Sequence, residues 1–328
     1  MFKKKAVSLN GLICLVVGVS NRGVGKGIAK QLVKAGATVY ITSGTRQTDE
    51  NSEESYLQSI AKEIDSKSNK CLAIQCDFSS YRDIRNLFER IDLEQDGQLD
   101  VLVNNNYAAV QIPEEKLCKS FWEHPVELWD AVNNVALRNH YLCNARAAKL
   151  MVTRKRGLLI NISSSGNVKD ADNLAINVRK EICDKLSVSL ARELQKHNVC
   201  CVSLCPGVVR MELIERMYIA EFERYESNCK ATKKLELMLT GAESSQFTGI
   251  AVVHLASDKS VMRKSGQVLL TTDLAKEYGF KDIDDQLPAD FRSISFLLKI
   301  HGWPWLAMFI PSFVKVPQWL MTFFGYNV

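Results

Sequence analysis

Short apolar runs recur along the chain at Leu12 to Val17, Thr38 to Thr42, Cys71 to Gln75, Val101 to Asn104, Gly157 to Ile162, Val199 to Leu204 and Gln267 to Leu270. Each is too short for a buried helix and rich in Val, Ile and Leu without strict alternation, the pattern of a strand covered on both faces. Between them lie amphipathic stretches. Gly25 to Ala35 carries Ile28, Leu32 and Ala35 at helical spacing, Tyr81 to Ile91 carries Ile84, Leu87, Phe88 and Ile91, and Lys180 to Leu194 carries Ile182, Leu186, Leu190 and Leu194. Strand followed by helix, repeated six times, predicts an α/β fold: a single doubly wound parallel-sheet domain of Rossmann type. In such sheets a ligand lies beyond the carboxyl ends of the strands, where the winding switches direction. Functional residues are therefore expected in the loops that follow the strands.

The chain of 328 residues is 46% hydrophobic, long enough for one large core, and the rhythm assigns residues 1–285 to that domain. A net charge of +5, with no block of five or six like charges, gives no reason to expect a nucleic-acid partner. None of the ten cysteines forms a C-x-x-C pair, and no Cys/His spacing suits zinc. They read as small core hydrophobes in a reducing compartment, and no metal is expected. Lys3 to Lys5 ahead of the apolar Leu12 to Val19 imitates a signal peptide. Because that stretch runs straight into a glycine loop, it is assigned instead to the first core strand.

The loop itself is Gly18, Val19, Ser20, Asn21, Arg22, Gly23, Val24 and Gly25, opening a helix. Glycines let the backbone approach a pyrophosphate, and free N–H groups at a helix start favour its charge. Further motifs stand at the ends of the later strands. Val17 and Gly18 through Gly25 match a TGxxxGxG loop with one extra residue, and Asn104, Asn105, Asn106 and Tyr107 match NNAG. Asp77 follows the third strand, Ile162, Ser163 and Ser164 close the fifth, and Pro206 and Gly207 follow the sixth. In this order, over roughly residues 8 to 275, they resemble the short-chain dehydrogenase/reductase family.

The resemblance implies a nicotinamide cofactor held by Gly18, Ser20, Asn21, Arg22, Gly23, Val24, Gly25, Ser43, Asp77, Asn104, Lys180, Pro206, Gly207 and Val209. A member preferring NAD(H) places a carboxylate at the end of the second strand, where it would repel a 2'-phosphate. That position is Ser43 here, with Arg22 and Arg46 nearby in sequence. NADP(H) is therefore expected in preference to NAD(H).

Within the family a Tyr donates the proton that balances hydride transfer, and a Lys four residues later lowers its pKa and holds the nicotinamide ribose. A Ser polarises the carbonyl, and an Asn in the fourth helix anchors a water relay. Ser164 and Lys180 match as catalytic residues, but Ile176 stands four residues before Lys180, and Asp170 to Lys180 contain no tyrosine. Ala136 occupies the relay position, and Met211 replaces a Thr that follows Pro-Gly in many members. A positioned general acid contributes about 10²- to 10⁴-fold. Two readings follow: an oxidoreductase of altered mechanism acting on a small apolar carbonyl or alcohol, or a non-catalytic nucleotide-binding relative serving as sensor or scaffold.

Met211 to Lys234 reads as a charged amphipathic helix lidding an apolar pocket. Residues 286–328 form a separate apolar extension: three of the five tryptophans and three of the seven prolines follow residue 300, and no Asp or Glu occurs from Ser293 onward. Pro304 and Pro311 break any spanning helix. Short pieces lying on a membrane surface fit better, with Lys299 and Lys315 towards anionic lipid. The alternative is packing over the body. The expected location is the cytoplasmic side, at the endoplasmic reticulum membrane, and the resemblance implies a homo-oligomer.

Overall fold

The computed structural model describes residues 7–21, 23–43, 53–105, 121–130, 133, 137–163, 174–210, 241–290, 292–300, 302–311 and 313–317. Seven strands, β1 (Ile13–Val17), β2 (Thr38–Thr42), β3 (Cys71–Ala73), β4 (Val101–Asn104), β5 (Gly157–Ile162), β6 (Val199–Cys205) and β7 (Val268–Leu270), form one sheet in the order β3-β2-β1-β4-β5-β6-β7. Every pairing is parallel. The winding reverses between β1 and β4, which sit side by side with Val17 opposite Asn104. The carboxyl ends of both strands at that switch point lie on the same edge of the sheet, where a crevice is expected.

The helices are α1 (Val24–Lys34), α2 (Glu53–Ile64), α3 (Tyr81–Glu94), α4 (Arg138–Arg154), α5 (Leu174–Leu194), α6 (Ser245–Ser257), α7 (Thr271–Tyr278) and α8 (Ile294–Ile300), with single turns at Val126–Trp129 and Pro304–Ala307. Alternate strand residues feed two buried layers, one on each face. Cys14, Val16, Val39, Ile41, Val101, Val103, Ile160 and Val202 pack with α1 and α6. Leu15, Val17, Tyr40, Leu102, Leu159 and Cys201 pack with α3 and α4. This two-sided covering explains the near-continuous apolar runs. Contact of α1 with α6 is close enough that a Cβ on Gly27 would stand 2.2 Å from the Ser245 carbonyl oxygen, and one on Gly249 2.6 Å from that of Gly27.

Described cysteines are free and buried, and burial pushes the Cys76 thiol up to about 12. Cys118 and Cys229 lie outside the described residues. So does the whole of Met211 to Lys234, and with it the expected lid helix.

Beyond Asp290 the chain doubles back as a small hairpin. Ser293 bridges Lys315 in antiparallel sense, Ile294 N–H donates to Val314 O at 3.0 Å, and the Ser295 hydroxyl donates to Ala307 O at 3.2 Å. Pro304 takes the first position of its turn, where its missing N–H costs no hydrogen bond. Ion pairs tie the hairpin to the body: Lys315 meets Asp273 and, at 2.5 Å, Asp290, Arg292 meets Asp273, and Lys276 meets Asp290 at 3.0 Å. Burial alone would raise the Asp290 carboxyl, but hydrogen bonds from Lys315 and Lys276 hold it below its usual value. The hairpin turns Trp303, Trp305, Met308, Phe309 and Phe313 outward, between 55% and 84% exposed. Among the described residues, no helix is long and apolar enough to cross a membrane.

Candidate functional site

At the switch point, the turn after β1 is shaped by backbone contacts. Gly18 takes a left-handed φ of 79°, a conformation that glycine adopts without steric cost. The N–H groups of Gly18 and Val19 both donate to Thr42 O at 2.9 Å, fixing the turn to the end of β2. Asn105, just after β4, donates from Nδ2 to Gly18 O at 2.8 Å, and its own N–H donates to Val17 O at 3.0 Å. A Cβ on Gly25 would come within 2.7 Å of Gly18 O and 3.0 Å of Asn105 Nδ2. Glycine is thus required where the first turn of α1 closes on the loop.

Gly23 caps α1 with extended backbone and no side-chain hydrogen bond, and the first helical turn holds no acid. Among the described residues no side chain caps its leading N–H groups, an arrangement suited to an anion from outside the helix. Ser20 and Asn21 are exposed, Gly23 and Val24 are half-buried, and Gly25 is buried. Lys26 reaches back over the loop, donating to Asn21 Oδ1 at 2.9 Å and Glu63 Oε2 at 2.7 Å. Asn21 N–H donates to the Tyr56 hydroxyl at 3.1 Å.

Ser43, half-buried, continues from β2. Asp77 follows β3 in a turn in which its Oδ1 accepts from Ser79 N–H at 2.9 Å and the Ser79 hydroxyl at 2.6 Å. Asn104 is fully buried, and its Nδ2 donates across the sheet to Asn161 Oδ1 at 3.0 Å. Asn161 Oδ1 also accepts from Asn144 Nδ2 at 2.8 Å, while Asn161 Nδ2 donates to the Ser187 hydroxyl at 2.9 Å. This network joins β4, β5, α4 and α5 beneath the crevice. Asn104 thereby serves the sheet as well as its edge.

After β6, Pro206 and Val209 are buried and Gly207 is half-buried. Gly207 N–H donates to the Glu243 carboxylate at 3.0 Å. Of the catalytic candidates, Lys180 and Ile176 lie on α5, one helical turn apart, and their side chains fall outside the described residues, as do Ser164, Ala136, Met211, Arg22 and Arg46. Asp184, one turn beyond Lys180, has its carboxyl raised by burial despite a hydrogen bond from Ser203.

Residue-type reasoning passed over Asn105 as a contact, although it stands inside the Asn104 to Asn106 motif that signalled the site. Lys26 and Glu243 carried no signal of their own.

A family model described as Enoyl-(Acyl carrier protein) reductase matches residues 18–273. Dehydrogenase/reductase SDR family member 1 of Homo sapiens is 42% identical over 320 residues, covering 97% of this chain and 98% of that protein. The 3-oxoacyl-[acyl-carrier-protein] reductase FabG of Aquifex aeolicus is 31% identical over 214 residues, 63% of this chain and 77% of that one. Among solved structures, the L-sorbose reductase of Gluconobacter frateurii, in complex with NADPH and L-sorbose, superposes with a TM-score of 0.67 at 18% identity, covering 81% of this chain and 97% of that one.

Proposed function

The chain belongs to the short-chain dehydrogenase/reductase family, and from that premise we propose that it binds NADP(H) across the β1–β4 crevice and acts on a small apolar carbonyl or alcohol with an altered proton-transfer step. The observation that carries this reading is the backbone cradle at the β1–β4 switch point: Gly18 turns left-handed, Gly25 packs on Gly18 O so closely that no Cβ fits, and the start of α1 has no side-chain cap. N–H groups at such a helix start suit a pyrophosphate. Ser43 at the end of β2, where a member preferring NAD(H) places a carboxylate, supports the 2'-phosphate form.

When bound, the nicotinamide supplies or accepts a hydride. Gly23 to Gly25 present backbone N–H groups, Asn105 sets the loop against β4, and Asp77 and Ser43 border the adenosine side. Lys180 is assigned to the nicotinamide ribose. Ile176 has no proton to give, so Ser164, Lys180 or a water must supply it if turnover occurs. The same substitution, with Ala136, supports a second reading in which the protein binds nucleotide without efficient turnover.

Titration of the purified full chain with NADPH and NADH, followed by nucleotide fluorescence, tests the cofactor assignment. Tighter binding of NADPH is expected, and tighter binding of NADH overturns the preference. We also propose that the chain lies on a membrane surface on the cytoplasmic side, including that of the endoplasmic reticulum; the exposed apolar face of the hairpin, from Trp303 to Phe313, supports the membrane contact alone. Flotation with anionic liposomes is expected for the full chain, and its failure removes that assignment. Homo-oligomerisation is proposed on the family's habit and is read by light scattering.

A further inference from the structure

Glu243 is a fully buried carboxylate with no part in the family's site as described above. It ties the segment after β6 to the start of α6 by backbone and side chain together. Its N–H donates to Val208 O at 2.7 Å, its carbonyl accepts from Arg210 N–H at 2.8 Å, and it bridges Val209 in parallel sense. Its Oε2 accepts from Gly207 N–H at 3.0 Å and the Thr271 hydroxyl at 2.6 Å, and its Oε1 accepts from the Thr248 hydroxyl at 2.8 Å. Three donors converge on one buried acid from three elements. Only one of them, Gly207, belongs to the turn that follows β6.

We propose that Glu243 is the positioning residue of the nucleotide site, holding the Pro206–Gly207 turn in its binding geometry through the Gly207 hydrogen bond. The assignment rests on the nucleotide reading given above and deepens it. Burial pushes the Glu243 carboxyl up to about 7, partly opposed by the Thr271, Thr248 and Gly207 hydrogen bonds and reinforced by the charge of Asp282. Among the described residues, the charged groups bearing on it are few. Asp282, from the segment after α7, is buried and accepts from Ser244 N–H at 2.7 Å. Arg210, from the turn itself, pairs with Asp284 at 2.7 Å and Asp282 at 3.6 Å. On α6 the nearest titratable group is His254, at the opposite end of the helix and stacked on Tyr278 and Phe280. On α7, Asp273 is engaged by Arg292 and Lys315.

An ionised carboxylate grips an N–H about twice as strongly as a neutral one. Protonation of Oε1 would also weaken it as the acceptor for Thr248. The hold on Gly207 therefore tightens as the pH rises through neutrality, and nucleotide affinity rises with it.

The test is NADPH titration of the full chain between about pH 6 and pH 8, in the parent, Glu243→Gln and Glu243→Ala, with hydrogen exchange at residues 206–210 in nucleotide-free protein at one common pH. Glu243→Gln keeps an acceptor for Gly207 and the shape of the side chain, so it guards against loss of the fold. The parent is expected to bind about three- to tenfold more tightly at the upper pH. Glu243→Gln is expected to show a flat residual profile once the nucleotide's own titration, common to all variants, is divided out. Glu243→Ala is expected to bind about tenfold more weakly and to exchange faster at 206–210. Identical pH profiles and exchange in parent and Glu243→Gln overturn the positioning role and leave the nucleotide reading standing. No NADPH binding by the parent overturns the nucleotide reading and this role with it.

Discussion

On the β1–β4 side of the crevice, the contacts that suit a nucleotide are made by backbone: Gly18 turned left-handed, Thr42 O accepting two N–H groups, and Gly25 pressed against Gly18 O. Across the crevice, the chemistry that the resemblance implies depends on individual side chains, and in the proposed reading Ile176 and Ala136 stand in sequence where the Tyr and Asn would. A backbone cradle persists as long as its glycines do, whereas a proton relay is lost by one substitution without disturbing the sheet. On the proposed function, the comparison makes binding and proton transfer separable in this fold. Perturbations can therefore strike one side and spare the other.

The largest effect is expected from Gly27→Val, which drives a branched side chain into the Ser245 carbonyl where even a Cβ would be 2.2 Å away. More than about 3 kcal/mol of destabilisation is expected, seen as loss of the cooperative thermal transition. A folded variant with parental Tm would show that α1 and α6 do not set the cradle. Next comes Gly25→Ala, whose methyl meets Gly18 O at 2.7 Å. About tenfold weaker NADPH binding is expected, with a smaller change in Tm, and unchanged affinity would break the nucleotide side of the comparison.

A graded effect concerns pH. The Glu243 carboxyl titrates at about 7 in the folded chain, against an ordinary 4.5. Between these values the folded state holds a proton that the unfolded state has released. Stability therefore falls as pH rises from about 4.5 to about 7 and levels off above. Denaturant melts of Glu243→Gln are expected to lack that fall, and a slope equal to the parent's would remove Glu243 as its source. The smallest effect is expected from Trp305→Ser with Phe309→Ser. Both side chains are exposed, so Tm is expected to shift by less than about 0.5 kcal/mol equivalent, with NADPH affinity unchanged and liposome flotation reduced. A large fall in Tm would mean that this face packs on protein.

Much of the sheet was legible because both of its faces are covered, so each strand reads as an apolar run. Thr38–Thr42, Val101–Asn104 and Gly157–Ile162 stand at the bounds read from sequence, and the others differ only at their ends: β3 stops at Ala73 and β6 continues to Cys205. Helices with one dry face, α1 and α3, were equally clear. Two were hidden. In α4 the buried face carries Asn139, His140 and Asn144, polar residues that break an apolar stripe, and α6 is apolar nearly all round because α1 and α7 flank it. For the candidate site, glycine and asparagine motifs marked the loops after β1 and β4 because they are local in sequence. Glu243 was invisible because its partners, Gly207, Thr248 and Thr271, meet it only once β6, α6 and α7 are packed.

The separation of binding from proton transfer is tested most directly by giving the missing donor back. Parent and Ile176→Tyr are each titrated with NADPH and then assayed for its oxidation over a panel of apolar carbonyls. The two are expected to bind NADPH within about threefold of each other, with oxidation by the Tyr variant faster by up to about 10²- to 10⁴-fold. A parent that already oxidises NADPH as fast as the Tyr variant would contradict the account.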